Sequence, residues 1–144
     1  MQVRQLMVRN PWGIQANDSV RHAAELMRRH GVGALIVYEQ ERPAGMLTDR
    51  DIAVGCVGGG HDNGDCFARE HMTADPVTID AEAEITEALR LMGAEQVRRL
   101  LVTDQGQVAG IVALGDLAIR SPHHAEVAQA LVDISQPVRQ PAHA

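Results

Sequence analysis

The chain lacks lysine altogether, and this absence excludes some chemistry. Its 13 basic residues are all arginine and are outnumbered by 19 acidic ones, so the 144-residue chain carries a formal charge of -6. Schiff-base catalysis and the phosphate-binding P-loop both need a lysine side chain, so neither is expected. The chain also has no nucleophile elbow and no recognisable pair of nucleophile and base. We therefore predict that the protein is not an enzyme.

Aromatic side chains are scarce as well, being limited to Trp12, Tyr38 and Phe67. Surfaces that bind nucleic acid combine basic patches with stacking rings, so this acidic chain is not expected to bind it. No apolar run reaches the roughly 18 residues of a membrane span. The first residues have no signal-peptide core. These features predict a cytoplasmic protein with no membrane partner.

What the chain does have is an internal repeat. Shifted by 65 positions against itself, it aligns without a gap, and the identical positions include 14 matched pairs that mark the register. The matched pairs are Met7 and Met72, Pro11 and Pro76, Ile14 and Ile79, Ala16 and Ala81, Ala23 and Ala88, Leu26 and Leu91, Met27 and Met92, Val32 and Val97, Leu35 and Leu100, Val37 and Val102, Ala44 and Ala109, Gly45 and Gly110, Asp51 and Asp116, and Ala53 and Ala118. This agreement indicates a duplication.

Each repeat predicts the same order of elements, β-α-β-β-α. Apolar residues at helical spacing predict an amphipathic helix over Val20 to Met27 and another over Ile85 to Met92. Two runs of branched apolar residues joined by a polar turn follow in each repeat and predict paired strands. One such unit is too small to bury both faces of its sheet. The predicted fold is therefore mixed α/β (α+β), with two β-α-β-β-α units packed with pseudo-twofold symmetry.

Composition suggests where the domains divide. Residues 1–60 are predicted to form the first domain and residues 61–122 the second, joined by a glycine-rich linker over about residues 55–65. Residues 123–144 are predicted to form a C-terminal helix and a tail that is frayed from Gln136.

The C-terminal helix is expected to start at Ser121-Pro122, because proline is tolerated at the first helical position. Its expected apolar stripe consists of Val127, Ala128, Leu131 and Val132. We expect this stripe to pack on a neighbouring module or on a second chain.

The strand-to-helix junction of the first repeat holds side chains suited to binding. Thr48 and Asp51 lie three apart at a predicted helix start, so a hydroxyl and a carboxylate can both face outward. A carboxylate can accept hydrogen bonds from both hydroxyls of a ribose, and a helix N-terminus with Arg50 nearby suits a phosphate. The same two residues also fit a capping box that serves only the helix. Spacing alone leaves both interpretations open.

These residues carry a resemblance to a known family. With the Met-x-x-x-Pro start of each repeat and the Ser19-Val20 helix entry, the Thr48-Asp49-Arg50-Asp51 stretch makes residues 3–120 resemble a tandem pair of cystathionine-β-synthase (CBS) domains, a Bateman module. In that family the module is regulatory and not catalytic. It binds adenosine-containing ligands (AMP, ADP, ATP, in some members NAD or S-adenosylmethionine) in the cleft between paired units. The resemblance implies an energy or stress sensor in signal transduction, paired as a homodimer, with an unidentified effector protein.

The resemblance also assigns nucleotide-binding residues. By position, Thr48 and Asp51 would hold the ribose and Arg50 would hold the phosphate. The residues that would line the adenine slot are Gly33, Ala34, Leu35 and Ile14.

The second repeat departs from the family pattern. Ala113 stands where a hydroxyl residue is expected, although Asp116 is retained. The lost hydrogen bond costs about 0.5–1.5 kcal/mol, or roughly two- to tenfold in affinity. We therefore predict that a second site at Asp116 and Ile79 is weaker than the first, differently selective or empty. Arg98 and Arg99 could reach a phosphate there or could form a solvated junction.

One group of residues has no place in the family pattern. Cys56, His61, Cys66 and His71 follow one another at intervals of five residues. All four are zinc-ligand types, but compact zinc motifs bring two ligands within two to four residues, and glycine-rich linkers stay flexible. We therefore expect reduced thiols and no bound metal. A metal-binding or redox-responsive stress protein is one alternative, and a purely structural dimerisation module is another.

Overall fold

A computed structural model describes residues 1–62 and 64–137 of the chain, which fall into two compact units. The first unit comprises Pro11–Pro76. The second unit comprises Met1–Asn10 together with the residues from Val77 onward. Each unit contains the main part of one repeat, and the N-terminal segment belongs to the second unit.

The helices and strands follow the repeat. The N-terminal segment contains a 3-10 turn, Val3–Gln5, and strand β1, Val8–Arg9. Next come β2 Gly13–Gln15, α1 Val20–His30, β3 Ala34–Glu39, β4 Arg42–Thr48, α2 Asp49–Asp51 and a π-helix, Ile52–Val57. The second repeat provides α3 Ala68–His71, β5 Thr73–Ala74, β6 Thr78–Asp80, α4 Ile85–Glu95, β7 Arg99–Asp104, β8 Gln107–Ala113 and α5 Leu114–Arg120. Helix α6, His124–Ser135, follows.

Each unit is built on a four-stranded sheet with the same register. The sheet orders are β2-β3-β4-β5 in the first unit and β1-β8-β7-β6 in the second. The central hairpins pair Ala34 with Thr48 and Arg99 with Ala113, and each is interrupted at the same point, after Val37 and after Val102. The gapless offset of the sequence is thus preserved in the backbone pairing.

The first strand of each repeat joins the sheet of the other repeat. Strand β1 pairs with β8, opposing Val8 to Ile111, and β5 pairs with β4, opposing Thr73 to Met46. This exchange explains why the N-terminal segment belongs to the second unit. It also places α3, which directly precedes β5, in the first unit.

The two main helices end in equivalent ways but begin differently. Ser19 caps α1, its hydroxyl accepting a hydrogen bond from the N–H of His22. Glu84, the corresponding residue of α4, makes no side-chain cap. Each helix ends on a left-handed residue, Gly31 with φ 65° and Gln96 with φ 55°.

Each unit has its own hydrophobic core between its helices and one face of its sheet. The first core contains Ile14, Ala16, Val20, Ala23, Met27, Leu35, Val37, Leu47, Ile52, Cys56, Cys66 and Ala68. The second contains Val3, Leu6, Met7, Ile79, Ala81, Ile85, Ala88, Leu89, Met92, Leu100, Val102, Val112, Leu114, Leu117 and Ala130. The predicted mixed α/β fold with two β-α-β-β-α repeats is confirmed.

The C-terminal helix differs from its prediction. It begins at His124, whereas Ser121 is buried and Pro122 lies in the connection before the helix. The apolar residues of α6 that pack on the second core are Val127, Ala130 and Ile134. Of the predicted stripe, Val127 packs on its own unit, whereas Ala128, Leu131 and Val132 are exposed, and their predicted packing on a second chain stays untested.

Three other boundaries differ or stay untested. The sequence predicts that the helices after the hairpins start near Asp51 and Asp116. They begin two residues earlier, at Asp49 and Leu114, because Thr48 and Ala113 already occupy the N-cap positions. The predicted division of the sequence at residues 60 and 122 stays a prediction. Of the predicted frayed tail, residues 138–144 lie outside the described part of the chain.

Candidate functional site

Two cysteines meet in the interior of the first unit. Cys56 lies on the π-helix and is fully buried, whereas Cys66 lies just before α3 and is 3% exposed. Their Sγ atoms are 2.7 Å apart, and the pair is a dithiol rather than a disulfide. The fold thus brings together two thiols that are ten residues apart in the sequence.

Local backbone structure explains how the thiols come together. The buried residues of the π-helix are Ile52 and Cys56, so this turn directs the thiol into the core. Cys66 is held at the start of α1, because its carbonyl accepts a hydrogen bond of 2.8 Å from the N–H of Val20. A π-helix has no simple hydrophobic period, and such turns are frequent at functional sites. The helical periodicity of the sequence therefore does not predict this π-helix.

His71 completes a group of three metal-ligand types. It ends α3 and is half-buried. The donor atoms of Cys56, Cys66 and His71 all lie within 4.8 Å of one another. Gly55 leaves room for the imidazole, since a Cβ at that position would lie 2.9 Å from Nδ1 of His71.

The fourth candidate, His61, lies at the edge of this group. Its ring centroid is 6.0 Å from that of His71, and its side chain is exposed. Its backbone N–H donates to the carbonyl of Cys56 over 3.0 Å. The structure therefore brings together three of the four residues that the spacing singled out.

The electrostatics of the pair hold a proton on Cys66. The pKa of the Cys66 thiol is raised to about 11, first by its hydrogen bond with Cys56 and then by burial. The carboxylates of Glu70 and Asp65 act in the same direction. The thiol therefore remains protonated at neutral pH unless a cation takes the place of the proton, and a divalent metal does so by binding the thiolate.

The donor set fits a zinc ion. Zinc takes thiolate and imidazole ligands with bonds about 2.0–2.3 Å long, so one ion can be held by these donor atoms once the two sulfur atoms move about 1 Å apart to tetrahedral positions. Cys56, Cys66 and His71 supply three such ligands. The expectation of no bound metal depended on spacing in the sequence. That objection does not hold, because the π-helix and α3 bring the distant ligands together.

At the predicted ribose site, Thr48 and Asp51 form a capping box. The Thr48 hydroxyl accepts from the Asp51 N–H at 3.1 Å, and an Asp51 carboxylate oxygen accepts from the Thr48 N–H at 2.9 Å. Both residues remain partly exposed. The two residues therefore do form the capping box that the sequence allows. Their role in binding a ribose stays a prediction.

The other residues assigned to the first nucleotide site are dispersed between surface and core. Arg50 is exposed, and Gly33 and Ala34 are partly exposed at the entry to β3. The side chains of Leu35 and Ile14 belong to the first core, with Leu35 fully buried and Ile14 4% exposed. Within the first unit, these two side chains therefore face the core, and their predicted place in an adenine slot stays untested.

Residues predicted for a second site line a cavity of about 530 Å³ in the second unit. Arg98, Arg99 and Asp116 lie together there, and their predicted roles toward a phosphate and a ribose stay untested. Ile79 does not line this cavity and lies in the second core, 6% exposed. The remaining lining residues are Ala113, Leu114, Gly115, Ala118, Ile119, Val127 and Leu131. Sequence reasoning missed the contribution of Val127 and Leu131, because they come from α6, which follows the repeat.

The fold and its repeats identify the class of protein. The family model for the CBS domain matches residues 3–56 and 68–122, and the chain belongs to this family. The matched segments agree with the two repeats described above and leave α6 outside.

Particular relatives place the chain among CBS-domain proteins of similar length. It is 40% identical over 122 residues to the CBS domain-containing protein YhcV of Bacillus subtilis, covering 85% of this chain and 86% of that protein. It is 38% identical over 112 residues to Hypoxic response protein 1 of Mycobacterium tuberculosis, covering 77% of this chain and 78% of that protein.

One solved structure bears on the cysteine cluster. The crystal structure of Hypoxic Response Protein I is described as containing two coordinated zinc ions. It superposes on this chain with a TM-score of 0.73 and 34% sequence identity, covering 85% of this chain and 100% of that one.

Among the residues that the structure describes, none of the helices is long and apolar enough to cross a membrane.

Proposed function

We propose that this protein is a regulatory CBS-domain protein whose first unit binds a zinc ion through Cys56, Cys66 and His71. The observation that carries the proposal is the convergence of their donor atoms within 4.8 Å of one another in the interior of the unit. The relative described with two coordinated zinc ions supports the choice of metal. This role was the alternative in the sequence analysis, and the geometry now favours it over the nucleotide role.

The proposed ion would hold separate segments of the first unit together. Zinc supplies positive charge that replaces the thiol protons and joins ligands from different parts of the chain. Cys56 stands on the π-helix, Cys66 bonds to the start of α1, and His71 ends α3. Holding these three elements together orders Gly58, Gly59 and Gly60, which follow the π-helix. It also fixes the position of β5, which completes the sheet.

The regulatory role follows from such coupling. A ligand shifts a protein between states only if it binds one state more tightly than the other. A metal held by α1, α3 and the π-helix favours the arrangement in which these elements are packed. We expect the metal-bound and metal-free forms to present different surfaces to an effector protein. The predictions that the protein self-associates as a homodimer, acts on an effector and is not an enzyme all stay predictions.

Metal analysis of protein purified without an affinity tag tests this proposal. We expect about one zinc per chain, the number that a single thiolate-rich site of this kind holds. Cys66→Ser should lose the zinc. His22→Ala is the matched control, because this exposed histidine lies on α1 and is not one of the three grouped ligands.

The result that would contradict the proposal is equally clear. Wild-type protein that stays metal-free after refolding with equimolar zinc would overturn it. Zinc retained undiminished in Cys66→Ser would also overturn it, because the metal would then be held elsewhere.

An adenine nucleotide in the second unit is the second candidate function. The cavity of about 530 Å³ has the size of a small-molecule pocket. Arg98 and Arg99 supply positive charge for a phosphate, and Asp116 supplies a carboxylate for ribose hydroxyls. Apolar side chains such as Leu114 and Ile119 cover the remaining wall, where a base can lie without an aromatic partner.

Calorimetric titration with AMP, ATP and NAD tests the second candidate. Hydrogen bonds to charged groups contribute about 1.5–3 kcal/mol, so Arg99→Ala should weaken binding roughly 10- to 100-fold. Arg28→Ala, an exposed arginine on α1, should bind as the wild type does. Binding lost in Thr48→Ala with Asp51→Ala, but retained in Arg99→Ala, would move the nucleotide to the first repeat. Wild-type protein that binds none of the three nucleotides would contradict the candidate altogether.

A further inference from the structure

The two buried sulfur atoms are close enough to react with each other. The Sγ atoms of Cys56 and Cys66 lie 2.7 Å apart, and a disulfide bond requires about 2.05 Å. Both side chains are in the core, at 0% and 3% exposure, so neither thiol can reach a second protein molecule while the unit is folded. Each thiol is therefore the nearest reaction partner of the other.

We propose that Cys56 and Cys66 are an oxidation site, at which a hydroperoxide joins them in an intramolecular disulfide. The first thiolate attacks the peroxide oxygen and breaks the O–O bond, giving a sulfenic acid and, with hydrogen peroxide, one water after protonation. The second thiol attacks that sulfur, forms the S–S bond and expels a second water. Two thiols and one hydrogen peroxide thus give one disulfide and two waters.

Oxidation removes two of the three grouped metal ligands. A disulfide sulfur is no longer a thiolate, and thiolates are the form in which cysteine binds zinc. The modified unit keeps only His71 from the group, so it releases the ion. This coupling to the metal rests on the proposed function, whereas formation of the disulfide in metal-free protein does not. A thiol reductant should restore both thiols and metal binding.

The surroundings of the pair set its reactivity. The chain that follows Cys56 contains Gly58, Gly59 and Gly60, all exposed, and then the exposed His61. Hydrogen peroxide is small enough to reach the thiols by local opening of this segment. Because both thiols are buried, we expect oxidation to be slower than that of an exposed cysteine. Because the second sulfur lies 2.7 Å away, we expect the disulfide rather than higher oxides.

Mass spectrometry of metal-free, reduced protein treated with hydrogen peroxide tests the oxidation site directly. The expected product is a monomer lighter by two hydrogens, with a peptide crosslink between Cys56 and Cys66. Cys56→Ser and Cys66→Ser should each abolish the crosslink. A product that gains oxygen atoms without a crosslink, or a disulfide between two chains, would overturn the proposal. So would reaction only under denaturing conditions.

Zinc-loaded protein provides the second readout. With a chromophoric chelator, we expect one zinc released per disulfide formed, and rebinding after reduction. Zinc retained by oxidised protein would overturn the coupling. The two proposals fail separately, because a disulfide in protein that binds no zinc contradicts only the proposed function. Zinc binding without disulfide formation contradicts only the oxidation site.

Discussion

The two units share a backbone, register and strand exchange, but equivalent positions hold different chemistry. With the offset of 65 residues, Cys56 corresponds to Ser121, Cys66 to Met1 and His71 to Leu6. Ser121 and Leu6 are both buried, at 4% exposure each; Cys56 is buried as well, whereas His71 is half-buried. The positions that gather thiols and imidazole in the first unit therefore hold a hydroxyl and apolar groups in the second.

The difference extends to the helix after each hairpin. In the first unit a three-residue α-turn with a capping box leads into a π-helix, whereas in the second an uncapped helix of seven residues runs on and α6 follows. The second unit in turn has the cavity with Arg98, Arg99 and Asp116. A duplicated fold has thus provided two frameworks, one suited to a metal and one to an anionic ligand.

Removal of zinc should produce the largest difference between the units. At a free zinc concentration about 1,000 times the Kd, binding stabilises the folded state by about 4 kcal/mol. For a chain of this size that corresponds to a rise of roughly 10 °C in the melting temperature. We expect the rise in wild-type protein and its absence in Cys66→Ser, measured by calorimetry with and without zinc. Ser121→Ala, the equivalent position in the second unit, should keep it.

The next largest difference between the units should come from adding one methyl group to a glycine of each unit. In Gly55→Ala the new Cβ would lie 2.9 Å from Nδ1 of His71, and overpacking of this kind costs about 1–3 kcal/mol. We expect zinc affinity to fall roughly 10- to 100-fold in a competition assay. In Gly115→Ala the new Cβ meets no atom within 4 Å. That variant should keep zinc affinity and raise the free energy of unfolding by about 0.4–1 kcal/mol. Equal effects of the two substitutions would contradict the assigned position of His71.

The residues that precede the two helices, Thr48 and Ala113, allow a test with a smaller expected effect, in which each is replaced by the residue type of the other. Thr48→Ala removes a cap and should lower the free energy of unfolding by about 1 kcal/mol. Ala113 has nearly the backbone of Thr48, with φ and ψ of -114° and 148° against -110° and 162°. Ala113→Thr should therefore gain a cap in the second unit and raise stability by up to about 1 kcal/mol. Denaturant unfolding of metal-free protein measures both, and destabilisation by Ala113→Thr would contradict the equivalence of the junctions.

Alkaline pH should give the smallest difference. Because the pKa of Cys66 is raised from 9.0 to about 11, the folded state keeps this proton at pH values where the unfolded state has lost it. Stability of reduced, metal-free protein should therefore fall as pH rises from about 9 to 11. Burial raises the pKa of Tyr38 as well, which adds to the same trend. Cys66→Ser should show a shallower decline, and an identical decline would contradict the raised pKa.

The repeat made most of the fold predictable. A gapless offset keeps each side chain on the same face of its strand or helix, so the register of one hairpin implies that of the other. The apolar spacing of Val20 and Ile85 likewise predicted α1 and α4. The strand exchange was not predictable from local pattern, because β1 and β5 are two residues long and carry no period of their own.

The sequence predicted the grouping of the arginine and aspartate side chains in the second unit but not that of the metal-ligand residues in the first. Arg98, Arg99 and Asp116 share a junction, so their position in the repeat brought them together. Cys56, Cys66 and His71 stand on three separate segments, and their meeting depends on a π-helix and on β5 returning to the first unit. The spacing of ligand residues in a sequence predicts compact metal-binding motifs. It does not predict sites whose ligands are brought together by the tertiary structure.

The most direct measurement is a crystal structure of untagged, zinc-supplemented protein with anomalous data collected on both sides of the zinc edge. The account predicts an anomalous peak in the first unit, bonded to the Sγ atoms of Cys56 and Cys66 and to an imidazole nitrogen of His71. It predicts none at Ser121 and Leu6, the equivalent positions of the second unit. A first unit with no peak, or with a peak away from the two thiols, would contradict the account.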